Sequence, residues 1–157
     1  MNKKLKITLW TILIVLIAIQ FVPVDRENPK VEADHDFLVA TQAPEQIQHL
    51  FKSACYDCHS NETVWPLYSY VAPVSLIVGN HVVEGREHLN FSNWTIYDSE
   101  DHPGILKHIK KEITNNAMPL AGYTLLHPEA KLSDEQKTLI IDYIDLLIEK
   151  SKVEIEQ

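Results

Sequence analysis

The sequence predicts an all-α protein in which a compact domain of about four helices follows an N-terminal transmembrane anchor. Apolar residues recur at helical spacing in several separate segments, and no segment shows the sustained alternation of a strand. The uncharged apolar run from Ile7 to Val22 follows Lys3, Lys4 and Lys6, as in an export signal. With 157 residues, of which 45% are hydrophobic, the chain is expected to form one domain with a buried core.

The N-terminal apolar run predicts a signal anchor over residues 1–23 that stays attached. Its sixteen uncharged residues exceed a usual signal-peptide core but fall short of a span of about 20 residues. Ala18-Ile19-Gln20 lacks the small residues of a cleavage site, so an anchor is favoured over a removed signal peptide. Because positive charges stay in the cytoplasm, the rest of the chain is expected outside a bacterial inner membrane, facing the periplasm.

Two segments are expected after the anchor. Residues 24–40 are polar and acidic without sustained periodicity, which predicts a tether between the membrane and the domain. The domain itself spans residues 41–157, and its first helix is expected near Pro44, a residue favoured in a first turn. Apolar residues from Ile47 to Cys58 recur at helical spacing, so this helix is expected to carry Cys55–His59 at its C-terminal end.

Three further helices complete the predicted domain. Pro73 and Pro103 each mark the start of a helix, and Gly85 is expected to weaken the continuation of the first of these two. Ser133 and Gln136 form a capping box before the last helix, in which each side chain bonds the other residue's backbone amide. The terminal helices of the domain are expected to pack together.

The run Cys55-Tyr56-Asp57-Cys58-His59 contains the only two cysteines and matches the Cys-x-x-Cys-His attachment signature of a c-type haem. Each cysteine sulfur would form a thioether with one haem vinyl group, and the histidine would ligate the iron. On a helix the three side chains fall within an arc of about 100°. A redox dithiol usually lies near a βαβ pattern, and a structural zinc site needs four ligands; the sequence offers neither. The expected cofactor is one haem c, held by Cys55 and Cys58, with His59 on the iron.

Met118 is the leading candidate for the second axial iron ligand. The only other methionine is Met1, on the far side of the predicted anchor, and Met118 precedes Pro119 in a predicted loop. Its alternative role is that of a gap-filling core residue. His81 is the chief rival, because its spacing places it on the apolar face of the second helix.

Aromatic and basic residues after the haem motif offer contacts for the rest of the porphyrin. Trp65, Tyr68 and Tyr70 could pack on it or bond a propionate, and Arg86 could pair with a propionate. The carbonyl of Pro66 could accept the Nδ1 proton of the motif histidine. Ordinary core and surface packing is the alternative for all of them.

Several segments beyond the haem motif carry a shared pattern. They are Cys55–Thr63, Trp65–Ser69, Pro73–Ser75, His81–Asn90, Met118–Leu120, His127–Ala130 and Leu132-Ser133. Together they resemble the bacterial haem-binding domain family of c-type cytochromes, over most of residues 42–148. The resemblance implies a cytochrome c-like helical domain that binds haem through Cys55, Cys58 and His59, and it implies no defined activity. The match of Met118-Pro119 to the methionine-proline element of many c-type cytochromes is weaker.

The function predicted from these features is that of a membrane-tethered, single-haem cytochrome that carries one electron at a time and is not an enzyme. Residues after the apolar run hold 11 of the 14 basic and all 22 acidic residues, a net charge of −11 with histidine neutral. This charge argues against nucleic acid, whose phosphates bind clusters of Lys and Arg. The negative charge is compatible with basic redox partner proteins, which it would attract over a long range. The alternative is that the charge only keeps the domain soluble. The alternatives are a haem peroxidase-like enzyme and a haem-based sensor with an exchangeable distal site.

Overall fold

The all-α prediction is confirmed, but the number of helices is larger than expected. A computed structural model describes residues 2–155, with side chains through residue 151. Within that range there are eight α-helices, four short 3-10 helices and no strand, against the predicted four or so helices. The α-helices are α1 (Lys3–Ile19), α2 (Phe37–Ala40), α3 (Glu45–Ala54), α4 (Tyr56–His59), α5 (Val74–His88), α6 (His102–Thr114), α7 (Ala121–Leu126) and α8 (Asp134–Ile155).

The predicted transmembrane anchor is wrong. Helix α1 has 17 residues and ends at Ile19, before the end of the apolar run. At about 1.5 Å per residue it rises roughly 26 Å, less than the hydrocarbon core of about 30 Å, and its first turn carries Lys3, Lys4 and Lys6. Across residues 2–155, no helix combines the length and the apolar character that a membrane span requires. This finding overturns the single-pass inner-membrane location and the periplasmic orientation inferred from it.

Residues 20–32 lie against the helical domain, where the sequence predicts the end of the anchor and the start of a free tether. The Gln20 side chain makes two hydrogen bonds with the backbone of Ala72, each 3.0 Å long. The Arg26 guanidinium donates to the carbonyl of Ser69 from Nε and from a terminal nitrogen, at 3.0 and 2.6 Å. These contacts join the N-terminal segment to the loop that follows the Cys55–His59 motif.

An aromatic cluster forms the centre of the core. The Phe37 side chain is fully buried, and its ring centroid lies 5.2 Å from those of Phe51 and Phe91 and 4.9 Å from that of Trp94. Tilted and edge-to-face packing of this kind is the favourable geometry for aromatic rings. Because Phe37 belongs to the segment predicted as a tether, the core includes residues before position 41.

Helix α8 begins as the sequence predicts. The amide of Ser133 donates to Gln136 Oε1 at 2.8 Å, and the amide of Gln136 donates to Ser133 Oγ at 3.2 Å, which is the reciprocal capping box. Ile140 and Ile144 are fully buried, and α8 packs along α6 and also contacts α3. The buried positions of α6 recur at helical spacing: Leu106, Ile109 and Ile113.

Candidate functional site

The Cys55–His59 motif lies at a break between two helices, whereas the sequence predicts it at the end of one. Helix α3 ends at Ala54, and Cys55 adopts φ −126° and ψ −40°, outside the helical range. The amides of Cys58 and His59 both donate to the carbonyl of Cys55, at 3.2 and 2.9 Å. This single turn holds the two thiols and the imidazole together, and both cysteines are free and half-buried.

The imidazole of His59 is oriented by the backbone of α5. Its Nδ1 lies 2.9 Å from the carbonyl oxygen of Gly85 and 3.1 Å from that of Leu89, so Nδ1–H is the donor and Nε2 is left to bind elsewhere. Both carbonyls lie at the C-terminal end of α5, where the helix dipole is negative and favours an N–H donor. Burial lowers the pKa of His59, which keeps the ring neutral. The acceptor suggested by the sequence, Pro66, is therefore wrong.

Gly85 allows α5 to approach the motif closely. A Cβ at this position would lie 2.5 Å from the carbonyl oxygen of Cys58 and 3.0 Å from its carbonyl carbon, which is too close for any larger residue. Helix α5 continues past Gly85 to His88, so the glycine does not end the helix. The sequence predicts only a weaker helix at Gly85 and misses the close approach to Cys58. The buried face of α5 consists of small residues and one valine: Ser75, Gly79, Val82 and Gly85.

Tyr56 connects the motif to the aromatic core. Its ring stacks on Phe91, with centroids 5.4 Å apart and planes 4° from parallel. Its hydroxyl donates to the buried carboxylate of Asp36 at 2.9 Å, and the other carboxylate oxygen accepts from the amide of Leu38. Burial raises the pKa of Tyr56, so the hydroxyl remains a donor.

Asp57, between the two cysteines, connects the motif to two other segments. One carboxylate oxygen accepts from the hydroxyl of Tyr123 at 2.7 Å, and the other accepts from the amide of Val64 at 3.0 Å. Tyr123 belongs to α7, the short helix that follows the loop of Met118 and Pro119. The region that contains the predicted second iron ligand is thereby joined to the motif.

The two candidates for the second axial ligand lie in different surroundings. Met118 is half-buried between α6 and α7, and its amide donates to the carbonyl of Glu112 at 3.3 Å. His81 is exposed on α5, next to the buried Val82, so its predicted place on the apolar face is wrong. Ligation of iron by Met118 stays a prediction.

The loop after the motif is held by Arg86. Its Nε donates to the carbonyl of Ser60 at 2.8 Å, and a terminal nitrogen donates to Asn28 Oδ1 at 2.7 Å and to Thr63 Oγ1 at 2.8 Å. The guanidinium therefore stabilises this loop by hydrogen bonds within the chain. The role suggested by the sequence is to pair with a haem propionate.

Two of the aromatic side chains in this region already have contacts within the chain. The Tyr68 hydroxyl pairs with His127 Nε2 at 2.6 Å, and His127 Nδ1 pairs with the carboxylate of Glu129 at 3.0 Å. The Tyr70 ring lies under the guanidinium of Arg26. Across the described side chains, residues 2–151, only the indole nitrogen of Trp65 is a buried side-chain polar atom without a hydrogen-bond partner.

These groups fit a covalently bound haem better than the alternatives. Two free thiols and a neutral imidazole, all on one turn, are the donors that a c-type haem requires. Burial raises the pKa of Cys55 to about 12 and that of Cys58 to about 11, while redox dithiols need a lowered pKa. Within the described residues, no group of three or more His, Cys, Asp or Glu side chains could hold a metal ion, so no zinc site is assembled there.

Comparison with known proteins identifies one family. A family model described as a haem-binding domain matches residues 14–146, well over half of the chain. No curated protein and no solved structure matches the sequence. The matched range includes the motif residues Cys55, Cys58 and His59 and also Met118.

Proposed function

The chain belongs to the haem-binding domain family, and on that premise we propose that it is a c-type cytochrome. It binds one haem covalently and carries one electron at a time between partner proteins. Cys55 and Cys58 would attach the haem, and His59 and Met118 would ligate its iron. We propose residues 41–157 as the haem-binding domain, with Phe37 added to its core.

The orientation of His59 is the observation that carries this proposal. Its Nδ1–H donates to the carbonyls of Gly85 and Leu89, at 2.9 and 3.1 Å, which leaves Nε2 as the ligating nitrogen. A donor bond of this kind fixes the tautomer and the direction of a ligating imidazole and raises its basicity. Backbone carbonyls of the chain thus fix the tautomer and the orientation of the His59 imidazole.

The two thiols act as the attachment points. Each thiol would hold one haem vinyl group through a thioether, and addition of S–H across a double bond would consume no oxidant or reductant. Because Cys55 and Cys58 lie on the same turn as His59, a haem held by both sulfurs would lie within reach of the imidazole.

Met118 completes the site in this proposal. Bound haem supplies the one-electron chemistry, since its iron cycles between the ferrous and ferric states. The thioether of Met118 favours the ferrous state and raises the reduction potential. The two carbonyls that bond Nδ1 would keep the His59 imidazole in one orientation during electron transfer.

Charge determines the kind of redox partner that we propose. All 22 acidic residues follow residue 24, together with only 11 basic residues. This charge steers basic redox proteins toward the domain by long-range attraction. The rate of electron transfer to such a partner should therefore fall as the ionic strength rises, because salt screens exposed charges.

Covalent attachment and single-electron transfer test the proposal. After expression with a c-type assembly system, the intact mass should increase by one haem, and acidified acetone should leave the colour with the polypeptide. The Cys55→Ala/Cys58→Ala variant should release any bound haem into the solvent. A redox titration of the wild type should follow a one-electron Nernst curve. Complete extraction of haem from the wild type would overturn the covalent assignment.

A further inference from the structure

The indole N–H of Trp65 is a buried donor that the described part of the chain leaves unpartnered. An indole nitrogen can only donate, so it needs an acceptor. A buried polar group without a partner is unfavourable and rare, and it marks a place where another group bonds. The acceptor for Trp65 is therefore to be sought outside the described residues.

The chain holds Trp65 firmly beside the Cys55–His59 motif. Just before it, the Val64 amide donates to the Asp57 carboxylate at 3.0 Å, and the Thr63 hydroxyl donates to the Asp57 carbonyl at 2.7 Å. Just after it, the amide and the hydroxyl of Ser69 donate to the carbonyl of Pro66, at 2.9 and 2.7 Å. Trp65 thus lies in a segment that is fixed at both ends, and one of these ends is bonded to the residue between the two cysteines.

Neighbouring donors are already used by protein acceptors. The Tyr68 hydroxyl pairs with His127, the Tyr123 hydroxyl donates to Asp57, and Arg86 donates to three acceptors of the chain. Trp65 differs from them because its nitrogen is buried and unpaired. Among the described side chains it is the buried donor that has no acceptor.

We propose that Trp65 donates its indole N–H to a propionate of the haem that is attached at Cys55 and Cys58. This inference rests on the proposed function, because it needs a haem at the motif. The carboxylates are the hydrogen-bond acceptors of the haem periphery, whose other substituents are apolar. A hydrogen bond to a charged acceptor is stronger than a neutral one, so Trp65 favours the ionised propionate.

The consequence is a link between Trp65 and the titration of the propionate. A donor to the ionised form lowers the pKa of a carboxyl group. The charge of the propionate affects the iron, so the reduction potential changes with pH through the range in which the propionate titrates. Loss of the indole N–H should move that range to higher pH.

The test compares Trp65→Phe with Trp10→Phe in the covalent holoprotein. The Trp65 change removes the N–H together with the five-membered part of the indole and keeps a six-membered aromatic ring. Trp10 is 64% exposed on α1, and its variant serves as the control for the same loss of ring size. The pH at which the potential changes slope should rise by about one unit in Trp65→Phe. It should stay at the wild-type value in Trp10→Phe.

Nuclear magnetic resonance of the ferrous wild type provides a second measurement that needs no folded variant. The sequence has three tryptophans, so ¹⁵N-labelled tryptophan gives three indole signals that through-space contacts can assign. The Trp65 signal should exchange with solvent about tenfold or more slowly than that of Trp10. It should also shift through the pH range of the propionate.

Two results would overturn the inference, and they differ in what else they affect. If covalent haem is present but the Trp65 indole signal does not shift through the propionate titration, at whatever rate it exchanges with solvent, the indole nitrogen does not bond a propionate. In that case the proposed function stands and this inference fails. If mass spectrometry shows no attached haem, both fail.

Discussion

The two sides of the proposed haem iron differ in how far the chain itself prepares them. On the His59 side, the imidazole bonds two carbonyls of α5, and Tyr56 is stacked and hydrogen-bonded into the core. Met118, the residue proposed for the other side, is half-buried in a loop that follows three exposed residues, 115–117. The contrast indicates that the chain alone orients His59, whereas the proposed ligand Met118 would take its final position after haem binds.

This difference separates the effects of substitutions on the two sides. Changes near His59 should lower the free energy of unfolding of the haem-free chain, because they disturb packing that exists without haem. Changes at Met118 should leave that free energy nearly unaltered and act on the properties of the bound iron. Four substitutions test the contrast, in order of their expected effect on the free energy of unfolding.

Gly85→Ala should have the largest effect. The new Cβ would lie 2.5 Å from a backbone oxygen of Cys58, which cannot move aside as a flexible side chain would. Urea unfolding of the haem-free chain, followed by circular dichroism, should show a loss of about 1–3 kcal/mol. The yield of attached haem should fall as well, because the carbonyl of Gly85 accepts the hydrogen bond that orients His59.

Gly104→Ala is the matched control for the Gly85 variant. Gly104 is also helical, but a Cβ there meets nothing within 4 Å. The control should be stabilised by about 0.5–1 kcal/mol, since alanine loses less backbone entropy than glycine in a helix. Equal shifts for the two variants would show that the approach of α5 to the motif does not matter.

Tyr56→Phe should have the next largest effect. It removes the donor to the buried Asp36 carboxylate and keeps the stacked ring, so the free energy of unfolding should fall by about 1–3 kcal/mol. Tyr143→Phe is the comparison, since that hydroxyl donates to Thr41 at 2.8 Å in a less buried position. Chemical denaturation of both variants checks this order. A larger loss for Tyr143→Phe would contradict the special role of the motif.

Met118→Ala should change the unfolding of the haem-free chain by less than about 1 kcal/mol, because the side chain is only half-buried. In the holoprotein the same variant should lower the reduction potential, since a weaker ligand replaces the thioether. Potentiometry and the near-infrared charge-transfer band of methionine-ligated ferric haem report this change. An unaltered potential and band would remove Met118 from the site.

His81→Ala should have the smallest effect. The side chain is exposed, so the free energy of unfolding should change by no more than about 0.5 kcal/mol. The reduction potential and the near-infrared band should equal those of the wild type. If this variant loses the native spectrum while Met118→Ala keeps it, the iron is ligated by two histidines.

Local sequence patterns were sufficient for part of this picture. The spacing of Cys55, Cys58 and His59 is a chemical requirement that can be seen within five residues, and the capping box at Ser133 and Gln136 is equally local. Helical periodicity predicts the buried face of α8, because the residues that pack recur along one segment.

The features that sequence patterns do not predict depend on contacts between distant segments of the chain. Tyr123 bonds Asp57 across 66 residues, and Gln20 bonds Ala72 across 52, just after α1 ends. By hydropathy alone the apolar run extends from Ile7 to Val22, past the end of α1 at Ile19. This is why the sequence predicts a membrane anchor that the structure does not contain within residues 2–155. From the local sequence, Gly85 is only a weak helix former. In the structure, its missing side chain allows the backbone of Cys58 to pack against α5.

The spin state and ligation of the ferric holoprotein test the proposed cytochrome most directly. Magnetic circular dichroism of the purified, covalently loaded wild type should show low-spin, six-coordinate iron with the near-infrared band of a thioether ligand. That result is expected if His59 and Met118 ligate the iron from opposite sides. High-spin ferric iron with an open position would contradict the electron carrier and favour a peroxidase-like enzyme or a haem-based sensor.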